Sequence, residues 1–278
     1  MDLRSEQFIL PENAANEYEV NGVYHAKSLV SSTWLERLRE VIDREMAEAK
    51  SKHFAFKSAD RGRFVGSQDI WRTDEVCSEF CLKSELPRVC SELTHSTRIN
   101  LFFDHLFVKE PGSGHVTSWH NDFPYWPIKG DQIVSSWVAL DDVTEENGAL
   151  TFALGSHRWN AALQPATFAE KEGSKYSDSD LEKLVGSLGF SETPQFRMFE
   201  MQAGDCLFFH SHAVHNAGAN RSLDKLRRGY AVRYTGDDVV YDPRAGVHKM
   251  MLEPTLVAGG PITSTRFPQV WPQHEERS

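Results

Sequence analysis

From Thr117 to Trp126 the chain reads Thr-Ser-Trp-His-Asn-Asp-Phe-Pro-Tyr-Trp, a run dense in groups that bind metals or stack on ligands. Side chains on an extended strand alternate faces. His120 and Asp122 are therefore expected on one face, pointing into one pocket. A neutral imidazole and a carboxylate so placed offer two cis ligands to a divalent metal. A third ligand from elsewhere would complete a two-histidine, one-carboxylate facial triad, which leaves coordination positions open for substrate and oxygen. The His-x-Asp tripeptide alone is a weak signal, because it arises readily by chance.

The second half of the constellation lies downstream. Gly204-Asp205 reads as a turn and is followed by the aromatic run Leu207-Phe208-Phe209. His210, His212 and His215 come next, and Arg227-Arg228 opens the following β-like segment. The residues themselves leave the third ligand open among these histidines. An arginine on the neighbouring strand suits a dicarboxylate, because its planar fork binds a carboxylate through two N–H groups and keeps its charge.

Taken together, His120-x-Asp122, Gly204-Asp205 before an aromatic strand, His215-x-x-Gly218-x-Asn220-x-Ser222 and the arginine pair resemble the phytanoyl-CoA dioxygenase family of iron(II)- and 2-oxoglutarate-dependent oxygenases. The resemblance runs from about Phe102 to Tyr234, and more loosely to Pro268-Gln269-Val270-Trp271. It implies a double-stranded β-helix (a cupin-like jelly roll) with flanking helices. It implies iron(II) on His120, Asp122 and His215, with 2-oxoglutarate and O2 as cosubstrates. His215 is the distal ligand because the Gly218, Asn220 and Ser222 pattern follows it, and neither His210 nor His212 has that sequel. Arg227 matches the arginine that pairs with the far carboxylate of 2-oxoglutarate. The spacing from His215 is one residue longer than in many members, which sets Arg228 beside it as the alternative. Trp137 matches a tryptophan that contacts the cosubstrate, and His105 and Lys109 match positions that help to hold it. Halogenases of this superfamily have a small residue in place of the carboxylate, so the intact Asp122 favours hydroxylation or a related oxidation, with release of succinate and CO2; desaturation, ring formation and epimerisation are open to the same site.

These groups must be held by a scaffold, and the rest of the chain supplies one. Leu35, Leu38, Val41, Ile42 and Met46 fall near a 3.6-residue period, which predicts an amphipathic helix over Trp34 to Ala49. Thr33-x-x-Glu36 reads as its capping box. A second helical pattern over 74–94 is expected to break or end near Pro87. After residue 97 short β-branched and aromatic runs alternate with turn residues: Ile99 to Val108, Gln132 to Leu140, Ala149 to Leu154, Phe196 to Met201, Asp205 to Phe209 and Gly229 to Tyr234. Such spacing predicts a mainly β sandwich or barrel. The acidic stretch 164–194, with a helical patch near Ser179 to Leu188, reads as an insertion near the sheet mouth, where insertions often act as lids. Asn147-Gly148 reads as a hairpin turn. The organisation expected is a single domain over 1–278: a helical part to about 96, a β core over about 97–240, and a tail over 241–278.

Bulk properties narrow the function. The 278 residues carry 30 Lys plus Arg against 40 Asp plus Glu, a net charge of −10, which disfavours a phosphate backbone as partner. No apolar run is long enough for a membrane span. The first residues, Met1 to Glu6, lack the apolar stretch of an export signal, so the expected compartment is the reducing cytoplasm. Cys77-x-x-x-Cys81 has no second Cys/His pair nearby and reads as buried or half-exposed thiols on a helix rather than a zinc site.

Blander readings apply to other groups. Lone histidines such as His115 and His157 are more often hydrogen-bonded scaffold than ligands. Asn121 is expected to face away from the metal and to make a supporting hydrogen bond. Phe123, Tyr125 and Trp126 suggest an apolar or cation-binding wall for a small-molecule substrate. The rival function is a non-oxidative hydrolase or isomerase that uses the same triad with zinc or manganese on a cupin-like fold; an arginine suited to 2-oxoglutarate argues against it.

Overall fold

A computed structural model of the chain describes residues 8–48, 54–57, 62–159, 161–163, 170–171, 178–187, 189 and 194–273. Its helices are α1 (Ala14–Asn21), α2 (Ser32–Glu48), α3 (Glu75–Lys83), α4 (Leu86–Thr94) and α5 (Asp178–Ser187). Its strands are β1 (Val23–Ala26), β2 (Phe54–Lys57), β3 (Arg63–Gln68), β4 (Ile99–Lys109), β5 (His115–His120), β6 (Ile128–Lys129), β7 (Ile133–Ala139), β8 (Leu150–Ala153), β9 (Glu170–Lys171), β10 (Phe196–Phe199), β11 (Cys206–His210), β12 (His215–Ala217), β13 (Arg227–Thr235), β14 (Val240–Tyr241) and β15 (Gln269–Trp271).

Two antiparallel sheets form the core. The major sheet runs β1-β11-β7-β13-β4-β3-β2, with β15 also paired to β4. The minor sheet runs β10-β8-β12-β5-β9. Alternation along β13 divides its side chains between two environments. Tyr230, Val232 and Tyr234 face outward onto Leu38, Ile42, Phe80, Leu86 and Val89 of α2, α3 and α4. Ala231 faces inward with Trp137, Leu207 and Phe209, onto Phe152 and Leu150 of the minor sheet. Leu38, Phe80 and Phe152 are fully buried. Burial on this scale contributes roughly 1.5–3 kcal/mol per large apolar side chain. This is the double-stranded β-helix expected, with its helices packed on the outer face of the major sheet.

Several local expectations need correcting. The chain up to residue 96 is not only helical, because β1, β2 and β3 extend the major sheet on both sides. The region after 240 is not a loose tail, since β15 returns to pair with β4. Helix α2 begins at Ser32, and the Ser31 hydroxyl accepts from the Trp34 N–H at 3.4 Å. Ser31 is thus the cap, and Thr33 lies inside the first turn, so no capping box forms there. The helical pattern over 74–94 does break near Pro87, as expected: α3 ends at Lys83, and Pro87 lies in the first turn of α4, where a proline has no intrahelical N–H partner to lose. Asn147-Gly148 closes no hairpin, because the strands on either side, β7 and β8, belong to different sheets. Asn147 instead stabilises a crossing loop, accepting from the Thr144 N–H and donating to the Asp142 carbonyl, each at 2.8 Å.

Of the acidic stretch 164–194, α5 corresponds to the helical patch, with Leu181 and Val185 buried against Trp119, Trp159 and Leu163. Of the rest, 164–169, 172–177, 188 and 190–193 lie outside the described residues, and so does the lid reading. Cys77, Cys81, Cys90 and Cys206 are buried free thiols.

Asp104 marks a cost in the core. It is wholly buried on the outward face of β4, where Tyr230 Oη and the Trp71 N–H donate to Oδ2 at 2.5 and 3.1 Å. Burial pushes its carboxyl up to about 7, although these hydrogen bonds oppose the shift. A carboxyl raised in the folded state favours folding when protonated. That contribution is complete below the ordinary value of 3.8 and is lost as the pH rises to about 7. Asp104→Asn removes the ionisation. The variant is expected to gain stability relative to wild type across this window, by up to about 1.4 kcal/mol per pH unit. Denaturant unfolding at pH 5 and pH 8 checks this: a variant no better placed against wild type at pH 8 than at pH 5 contradicts it.

Candidate active site

The minor sheet supplies two of the candidate ligands. His120 ends β5 and His215 begins β12, and the two are directly paired across the ladder. Their rings lie 4.3 Å apart between centroids. Asp122 arrives differently from the alternation expected. β5 stops at His120, and Asp122 adopts helical backbone angles at the head of a short 3-10 turn over Phe123–Tyr125. The turn is pinned by the N–H groups of Asp122 and Phe123, which both donate to the Ser211 carbonyl at 3.0 Å. Convergence of His120 and Asp122 is thus the work of a turn, not of strand pleating. His120 Nε2 and Asp122 Oδ1 lie 3.6 Å apart, and one donor atom from each of His120, Asp122 and His215 fits within 4.8 Å of the others.

The hydrogen bonds behind the triad set its protonation. Nδ1 of His120 lies 2.8 Å from the Ser118 carbonyl, and Nδ1 of His215 lies 3.0 Å from the Ala213 carbonyl. A carbonyl only accepts, so each ring carries its proton on Nδ1 and keeps the Nε2 lone pair for a metal. Burial, and then the neighbouring His120, push the His215 imidazole down to about 3, so it stays neutral. Burial alone would raise the Asp122 carboxyl. The neighbouring His120, Arg233 and His215 outweigh it and hold the carboxyl well below the usual range. Oδ2 of Asp122 also accepts from Ser135 Oγ at 3.1 Å. Two neutral imidazoles and one carboxylate, buried and convergent, match the donor set of a non-haem iron(II) site.

The three nearby histidines separate clearly. His215 lines a cavity of about 420 Å³ together with His120 and Asp122. His210 and His212 do not line it. His212 stacks on Phe123 at 4.1 Å, and His210 sits between His157 and His212. His157 and Arg158 bond to carbonyls of Glu19 and Val20 at the end of α1, which makes them scaffold. Asn121 faces away as expected: it donates to the Ala161 carbonyl and accepts from the Leu163 N–H.

β13 brings the arginines. Arg227 faces the cavity and is 2% exposed, and its Nε is buried without a hydrogen-bond partner. Burial pulls its guanidinium down to about 10. Arg228, one residue on, faces the other way and is tied to Asp141 at 2.8 and 3.0 Å and to Asp43 at 2.8 Å. Of the two, Arg227 is the one that faces the cavity with an orphaned donor, the arrangement that suits an anion. Trp137 lines the cavity, with the Arg227 guanidinium 5.5 Å from its ring centroid. Gly229 makes this crossing possible, since a Cβ there would lie 2.0 Å from Trp137 Cζ2.

His105 also lines the cavity. Lys109, expected beside the cosubstrate, is instead outside the lining. Its ammonium donates to the carbonyls of Gly218 and Ala217 and lies over the Phe64 ring. The anchor there is a backbone bulge of the minor sheet, not an anion. Sequence reasoning missed Ser135, Gln68, Arg233, His248, Met250 and Met251. Period-2 alternation from Trp137 and Arg227 reaches Ser135 and Arg233. Nothing local in 241–273 signals that His248, Met250 and Met251 close one side of the cavity.

Comparison with known proteins adds to the geometry. A family model described as phytanoyl-CoA dioxygenase matches residues 18–229. A probable phytanoyl-CoA dioxygenase of Caenorhabditis elegans is 27% identical over 262 residues, covering 86% of this chain and 80% of that protein. The peroxisomal phytanoyl-CoA dioxygenase of Homo sapiens is 24% identical over 262 residues, covering 86% of this chain and 72% of that protein. Among solved structures, the epimerase SnoN in complex with Fe3+, alpha ketoglutarate and nogalamycin RO superposes with a TM-score of 0.73 at 22% identity, over 93% of this chain and 98% of that one. No helix among the described residues is long and apolar enough to cross a membrane.

Proposed function

This chain belongs to the phytanoyl-CoA dioxygenase family, and from that premise we propose that it is an iron(II)- and 2-oxoglutarate-dependent dioxygenase that hydroxylates a small organic substrate. In this reading iron is held by His120, Asp122 and His215, and the far carboxylate of 2-oxoglutarate by Arg227. The observation that carries it is the meeting, in one cavity, of a His/Asp/His donor set and a buried arginine with an unpartnered donor. A hydrolase or isomerase on the same triad does not require that arginine.

When bound, iron and 2-oxoglutarate supply the oxidising chemistry, consuming O2 and releasing succinate and CO2 as the substrate is oxidised. The protein's part is positioning and exclusion of water. The Ser118 and Ala213 carbonyls fix the imidazole tautomers, and Ser135 holds Oδ2 of Asp122 while Oδ1 faces His120. Trp137, Phe152 and Phe209 keep the inner end of the site apolar, where the charge of Arg227 acts with little screening. The volume is at the low end of ligand pockets, roughly 300–1,000 Å³, so the cosubstrate leaves room for a small body. Retention of Asp122 supports hydroxylation. The epimerase activity named for SnoN marks the alternative outcome on this fold. Cytoplasmic location is part of the reading, and the peroxisomal location named for the human relative is its competitor.

Anaerobic calorimetry of 2-oxoglutarate into the iron-loaded protein tests the reading, followed by succinate release on admitting air without substrate. One-to-one binding and slow succinate formation are expected. Absence of both overturns the oxygenase assignment.

A further inference from the structure

The cavity holds a second buried guanidinium besides that of Arg227. Arg233 lies on the same inward face of β13 as Arg227 and is 4% exposed. Phe103, Phe107 and Trp126 surround it, with centroids 4.8, 5.7 and 5.9 Å away. A guanidinium offers five N–H donors in one plane, and Arg233 uses them poorly. Nη1 is 3.5 Å from the Ala231 carbonyl, and Nη2 is 3.7 Å from Asp122 Oδ2. Nε is buried with no hydrogen-bond partner. This is a cation in an aromatic wall whose acceptors are mostly missing.

The charge balance points the same way. Among the described residues that line the cavity, Asp122 is the one acid, against Arg227 and Arg233. Asp122 as a metal ligand gives its charge to the metal. A divalent metal and two arginines, set against Asp122 and the dianion of 2-oxoglutarate, leave one positive charge in a dry wall. An unpaired buried charge is strongly unfavourable until an anion joins it. His105 does not add to the excess: burial, and then Arg233, hold its imidazole well below the usual value. Gln68 Nε2 donates to His105 Nδ1 at 3.2 Å, which leaves the ring proton on Nε2.

We propose that the substrate of this enzyme carries a carboxylate, which the Arg233 guanidinium binds on the side of the cavity away from Arg227. The proposal rests on the oxygenase reading above. Because Arg233 already reaches Asp122, the oxidised carbon lies within a few bonds of that carboxylate. Tyr125, His248, Met250 and Met251 form the remaining wall and suit an apolar or aromatic body. The aromatic wall is thus not a cage for a cationic substrate: its cation is the protein's own Arg233.

The test uses the full chain loaded with manganese(II) and saturating 2-oxoglutarate, which occupies Arg227. Benzoate, 3-phenylpropanoate, hexanoate and octanoate are titrated by calorimetry, each beside its carboxamide. At least one acid is expected to bind about tenfold or more tightly than its amide, since a charge-assisted pair to arginine is lost in the neutral analogue. Arg233→Gln should erase that preference, and Arg233→Lys should keep part of it. The acid–amide comparison in wild type needs no variant to fold. If no acid is preferred, or if the preference survives Arg233→Gln, Arg233 only positions Asp122 and the proposal is overturned. If 2-oxoglutarate itself fails to bind, the oxygenase reading fails instead, and the first titration shows it.

Discussion

His215→Ala is expected to empty the iron site and to lower succinate formation to below about 1% of wild type, because loss of even a hydrogen-bond partner of a metal ligand typically costs roughly 10–100-fold. Iron content per chain and succinate yield are the two readouts. His210→Ala and His212→Ala serve as the contrast. Neither ring lines the cavity, and His212 stacks on Phe123 outside it. Both variants should retain iron and a measurable part of turnover. Loss of iron in either of them, with retention in His215→Ala, would move the ligand three or five positions upstream. An odd shift of that kind turns a strand side chain to the other face. The pairing of His215 with His120 and Phe152 opposes it.

The second large effect concerns the two adjacent arginines. Arg227→Gln should weaken 2-oxoglutarate binding by about 30-fold or more, since truncating one partner of a buried charged pair costs about 2–5 kcal/mol. Yet the variant without cosubstrate should melt no lower than wild type. Arg227 is buried with an unpartnered Nε, and removing an uncompensated buried cation relieves desolvation. Arg228→Gln should behave in the opposite manner. It breaks the pairings with Asp141 and Asp43, so the melting temperature falls while 2-oxoglutarate affinity changes by less than about threefold. Calorimetry and thermal unfolding of both variants read the two effects separately. Cosubstrate loss in Arg228→Gln alone would reverse the assignment.

Much of this was legible along the chain, and the parts that were not share a cause. Strands such as Ile99–Lys109 and Ile133–Ala139 were readable because β-branched and aromatic residues cluster between turn signals. Strands β1 and β15 were not, because each has its partner far away in sequence, on β11 and β4. Helix α2 was readable from its period, but its cap was misplaced by two residues because Thr33 and Ser31 present the same chemistry locally. Lys109 was misjudged for a related reason. A lysine beside a cofactor pocket looks the same in sequence whether its ammonium meets an anion or, as here, carbonyls of the facing sheet.

The residue types of the site were therefore fixed by the sequence: two imidazoles, a carboxylate and an arginine pair at spacings that recur in one family. Choosing among them required the tertiary structure. Only the fold turns Arg227 inward and Arg228 outward, and only β13 seats Arg233 across from Ser135 and beside Asp122. Nor does local pattern show that the turn after β5, not the strand, aims Asp122 at the two histidines. The physical reason is that residue type sets which interactions a group can make, whereas burial and direction decide which it does make. Both depend on elements far apart in sequence, as the pairings of His120 with His215 and of Ser135 with Arg233 show.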